Sequence, residues 1–181
     1  MTPILGILAS GMSGNLETNS FISIATTTVG TATSTITFSS IPSTYQHLQL
    51  RAFSNSTTGA PARIRLNSDS GSNYALQVIQ GNSASVGVGG ATAQSGMDII
   101  ISSNASNVFG ASIVDILDYA NTNKYTTIRA FDGYETGSTG TVYFYSGLWL
   151  NTNAISTITL TDSSGGNFNT YSSFALYGIK G

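Results

Sequence analysis

The chain has one histidine, His47, so any Ser-His-Asp relay would have to be built on it. His47 opens the alternating run His47-Leu48-Gln49-Leu50-Arg51-Ala52-Phe53 on its polar side, and no Gly-x-Ser-x-Gly elbow accompanies it. It reads as a surface strand residue. Asp115 and Asp118 come nearest to the carboxylate pair of a glycoside hydrolase. Three apart on a strand, they point to opposite faces. That suits a structural charge, with Arg51 or Arg129 as candidate partner for one of them. Asp132 and Glu135 lie in a glycine-rich stretch that reads as a loop, where carboxylate oxygens could hold a hard cation, but the twelve-residue calcium-loop spacing is missing. Asn67-Ser68-Asp69-Ser70-Gly71-Ser72-Asn73 is rich in oxygen ligands and has the composition of an ordinary turn. Gly87, Gly89 and Gly90 precede no Lys-Ser/Thr, so they form no phosphate loop. Cysteine is absent, which excludes thiol catalysis and, with a single histidine, a typical zinc site. The sequence therefore predicts no enzyme, no cofactor and no metal centre.

The aromatic residues offer a different chemistry. Tyr134, Tyr143, Tyr145, Trp149 and Tyr171 could stack on sugar rings, although aromatics in alternating strands more commonly fill cores and subunit interfaces. Tyr134, flanked by Asp132 and Glu135, is the candidate contact for a ligand or host receptor.

The elements that would position these residues are strands. Alternation or apolar runs predict them at Phe21–Ala25, Ser34–Phe38, His47–Phe53, Ala62–Leu66, Tyr74–Ile79, Met97–Ile101, Phe109–Leu117, Tyr125–Phe131, Val142–Leu150, Ile155–Leu160 and Phe174–Ile179. Gly30 predicts a hairpin between the first two, and Gly147 a bulge or bend in the most aromatic strand. Residues 81–95 read as a long Gly/Ser/Ala loop or an irregular edge strand around Val86 and Val88. Short strands at close turn spacing without a convincing helix predict an all-β fold: an antiparallel β-sandwich, jelly-roll-like, over residues 20–181.

Residues 1–19 read as a separate N-terminal arm. Ile4, Leu5, Leu8 and Met12 would form one apolar stripe, on a helix that Gly6, Gly11 and Gly14 leave too weak to stand alone. The arm is expected to dock on a partner. It has no basic residue before its apolar stretch, unlike a signal peptide, and no run reaches the ~18 residues of a membrane span.

Only 6 Lys+Arg and 8 Asp+Glu occur in 181 residues, 8% of the chain where about 25% is usual. Ser, Thr, Asn and Gly take the place of charge on the polar faces. The scattered basic residues form no stripe for a phosphate backbone, so nucleic acid is not an expected partner. A net charge of −2 gives little protection against self-association.

Four segments carry a family likeness: Pro3-Ile4-Leu5-Gly6-Ile7-Leu8-Ala9-Ser10, the block from Ile36 to Arg51, the block from Ile116 to Tyr125, and the end from Tyr171 to Gly181. Together they resemble a family of tailed-bacteriophage virion proteins, common in aquatic phages and often labelled tail fibre or structural protein. The resemblance implies a β-rich module on a virion, attached through its arm to other capsid or tail proteins, and a homo-oligomer, with a trimer as the usual symmetry. It brings no catalytic motif. The chain lacks the long shaft of a fibre, so a short appendage, an adaptor and a capsid decoration subunit are the forms implied. A host-receptor or glycan-binding module at a tail tip is the alternative.

Overall fold

The computed structural model describes residues 20–181, all of whose regular elements are antiparallel strands. They are β1 (Phe21–Thr28), β2 (Thr35–Phe38), β3 (His47–Ser54), β4 (Ala62–Leu66), β5 (Tyr74–Asn82) and β6 (Val86–Gln94). There follow β7 (Met97–Ile100), β8 (Gly110–Leu117), β9 (Thr126–Glu135), β10 (Gly140–Trp149), β11 (Ile158–Asp162) and β12 (Ser173–Ile179). A wide sheet has the order β1-β12-β3-β8-β9-β10-β5-β6, and a narrow one the order β2-β11-β4-β7. The expected sandwich is present, and its jelly-roll character lies in eight strands. β1-β12-β3-β8 face β2-β11-β4-β7, and the chain crosses between sheets at β1→β2, β2→β3, β3→β4, β4→β5, β6→β7, β7→β8, β10→β11 and β11→β12. Two hairpins, β5–β6 and β9–β10, extend the wide sheet beyond that frame.

Alternation produces the core. In β3, Leu48, Leu50, Ala52 and Ser54 turn inward while His47, Gln49, Arg51 and Phe53 turn outward. Ile64 and Leu66 of β4, Val114 and Ile116 of β8, Ile128 of β9 and Trp149 of β10 complete the same buried layer.

Two expectations are corrected. β1 and β2 form no hairpin: β1 pairs with β12 and β2 with β11, because the chain passes from one sheet to the other through Gly30. β10 does not bulge at Gly147, which stays in register with both Ile128 and Leu76. A Cβ there would lie 2.7 Å from Met97 Sδ, so the glycine makes room for a core side chain. Of the two readings of residues 81–95, the edge strand is the one present: the tip of β5 and a tight turn lead into β6 at the sheet edge, with Val86 and Val88 exposed. Asn82 Oδ1 accepts from the amides of Ala84 and Ser85 and so builds the turn itself.

Candidate functional site

The candidate ligand residues separate in space. Asp132 is not in a loop: β9 runs through it to Glu135, and alternation turns its side chain into the sandwich, where it is 2% exposed. Its Oδ2 accepts from the amide of Ile101 at 3.0 Å while its Oδ1 has no hydrogen-bond partner. Burial pushes this carboxyl up to about 7, against the lowering effect of the Ile101 hydrogen bond. It cannot serve as an exposed receptor contact. Sequence reading ended β9 too early because Gly133 resembled a turn residue. Gly133 in fact permits a close approach, since a Cβ there would stand 2.6 Å from the Thr141 carbonyl. The real turn covers residues 136–139, where Glu135 Oε1 accepts from the Gly137 amide.

Tyr134 and Glu135 do share a surface. With Asn82, Ser83, Gly133 and Thr141 they line a groove of about 540 Å³ at the hairpin tips. Tyr143 and Tyr145 stack on each other within the sandwich, and Trp149 is fully buried. Tyr171 is exposed in the loop before β12. The arm residues Ile4, Leu5, Leu8 and Met12 lie outside the described residues.

The other candidates have structural roles. His47 Nδ1 accepts from the amide of Asp118 at 2.9 Å. β8 ends at Leu117, so Asp118 is not a strand residue but sits in a turn with φ 49°, paired with Lys124. The Lys124 hydrogen bond holds the Asp118 carboxyl below its usual range. Asp115 accepts from Gln49 Nε2 at 2.8 Å, and Gln49 in turn accepts from Arg51 Nε. The arginine thus reaches Asp115 through an amide rather than as the direct partner expected. Asp69, in the oxygen-rich turn, accepts from Gly71, Asn73 and Trp149. Among the described residues no cluster of three His, Cys, Asp or Glu is placed to hold a metal.

The feature that sequence reading missed is the outer face of the wide sheet. Ile113, Phe131, Phe144, Ile79 and Val88 stand directly opposite one another across β8, β9, β10, β5 and β6. The next outward row runs Phe53, Ala111, Gly133, Val142, Gly81, Val86. The eight large side chains in these rows are 45% to 83% exposed. The small residues Ala111 and Gly133 leave a second groove of about 540 Å³ between Phe53, Ile113, Phe131 and Val142. At one end the Arg51 guanidinium lies 5.5 Å from the Phe21 ring and 5.1 Å from that of Tyr177. Along one flank runs a polar row, Gln49, Asp115, Arg129, Ser146 and Gln77.

The signal for this face was present in the sequence. β8 and β10 carry large apolar residues at both odd and even positions, the mark of strands covered on both sides. The narrow sheet covers only one side. The arrangement can bury apolar area and hold an interface.

No family model matches the chain, and no match is found among curated proteins or solved structures.

Proposed function

We propose that the chain is a structural subunit of a bacteriophage virion, a jelly-roll module attached by its N-terminal arm and working through contact rather than chemistry. The observation that carries this reading is the apolar outer face of the wide sheet, in a chain with about a third of the usual share of charged residues. A patch of that size is characteristic of a part built to be covered. The resemblance of the four segments supplies the setting: a homo-oligomer on the particle surface, as a tail appendage or a capsid decoration. In this reading Ile4, Leu5, Leu8 and Met12 bury against a neighbouring virion protein, each contributing about 1.5–3 kcal/mol. Avidity across several copies strengthens the attachment.

Deletion of residues 1–16 is expected to leave a folded domain that no longer joins particles, measured by the protein content of purified virions. Normal incorporation of the truncated chain would refute the arm's role.

A second reading, a receptor- or glycan-binding module at a tail tip, is favoured by the groove that Tyr134 and Glu135 share. Glycan binding lost on Tyr134→Ala would support it, and an array without binding at millimolar ligand would count against it.

A further inference from the structure

We infer that the outer face of the wide sheet is an interface between copies of this chain. The inference deepens the structural-subunit reading and rests on it only for the premise that copies associate.

The area fits such a contact. Eight half-exposed side chains of the Phe, Ile and Val type present on the order of 800 Å². The largest apolar patch of a typical monomer is about 300–600 Å², whereas each partner in a stable complex contributes about 800 Å². The patch is also continuous. From Phe53 on β3 to Val88 on β6 it crosses six adjacent strands, about 24 Å at the usual strand spacing. Two sheets stacked face to face are the common way for such surfaces to cover one another.

The flank supports a second copy over an unrelated partner. Asp115 and Arg129 stand opposite each other on β8 and β9, yet they form no ion pair with each other or with any described residue. Arg129 donates to Ser146 and to the Ile128 carbonyl, and Asp115 accepts from Gln49. One surface thus offers both a cation and an anion, neither ion-paired among the described residues, beside the same apolar row. Rotated copies can set Arg129 of each against Asp115 of the other, so the surface is complementary to itself. A strongly charged partner would find little to pair with here.

The test is the solution mass of the full chain, with Phe131→Lys and Phe144→Lys as variants and Tyr171→Ser as control. Phe131 and Phe144 face solvent in the isolated chain, so the variants should keep the parent's circular dichroism and melt cooperatively, which confirms folding, with a melting temperature lowered only by the association they lose. The parent is expected to run above 18.8 kDa at tens of micromolar. Both lysine variants should fall to the monomer, with dissociation constants raised at least about a hundredfold, while Tyr171→Ser keeps the parent's mass. A monomeric parent would overturn the inference. So would an assembly that both lysine variants leave intact, or a monomer whose outer face binds a hydrophobic dye only after residues 1–19 are removed. A chain that enters particles through its arm yet stays monomeric in solution would sink this interface and leave the structural-subunit reading standing.

Discussion

Trp149→Ala is expected to cost about 3–5 kcal/mol, the range for deleting a large buried aromatic, and to lower the melting temperature by roughly 10 °C or more. Trp149 is fully buried near the end of β10, its ring stacked on Tyr74 of β5 with centroids 6.4 Å apart. Its Nε1 donates to Asp69 Oδ2 at 2.8 Å. Tyr74 Oη accepts from the amide of Leu66 at 2.9 Å and donates back toward the same turn. Trp149, Tyr74 and Asp69 therefore tie the β4–β5 turn to β10, at the point where the extending hairpins leave the jelly-roll frame. Alanine removes the ring and one of the hydrogen bonds that hold the Asp69 carboxyl below its usual range despite partial desolvation. Trp149→Phe, which keeps a ring but loses the donor, should cost about 1.5–3 kcal/mol. Urea unfolding of the two variants separates the packing loss from the hydrogen-bond loss. A cost near zero for Trp149→Phe would show that the indole donor contributes nothing, and equal costs for the two variants would show that the ring left by phenylalanine contributes nothing.

Stability is expected to fall as pH rises from about 4 to about 8, and Asp132→Asn should abolish that fall. The folded carboxyl, raised to about 7, holds its proton more tightly than the unfolded one. Its contribution is fully present below the ordinary aspartate range and is lost as pH rises through about 7. At about 1.4 kcal/mol per unit of difference the loss reaches up to about 4 kcal/mol. Asp118, Asp69 and Asp162, all held low, act in the opposite direction: their contribution is present above the ordinary aspartate pKa and is lost as pH falls through their lowered values. The two trends place the stability maximum near the foot of the Asp132 transition, in mildly acid solution. Melting temperatures across this range read the effect, and an unchanged slope in Asp132→Asn would assign it elsewhere.

The strands were legible because alternation is local. Leu48, Leu50 and Ala52 against His47, Gln49 and Arg51 specify β3 and its two faces without any knowledge of its neighbours. Pairing was not legible at β1, whose partner β12 lies at the other end of the chain. Glycines misled twice for one reason. Gly133 and Gly147 resembled turn or bulge residues, but close approach of the Thr141 carbonyl and of Met97 requires them, and that is a tertiary fact. Misreading Gly133 placed Asp132 in solvent instead of in the core. The contact face was half legible: Phe131 and Phe144 were visible as strand aromatics, but only the register shows them opposite each other with Ile113, Ile79 and Val88 in line.

The account turns on contact with other chains, and a density map of the intact particles that carry this protein tests it most directly. The account predicts the jelly roll on the particle surface, residues 1–19 buried against a neighbouring chain, and the row from Ile113 to Val88 covered by another copy. A map in which that row faces open solvent while the first residues lie against their own domain would contradict it.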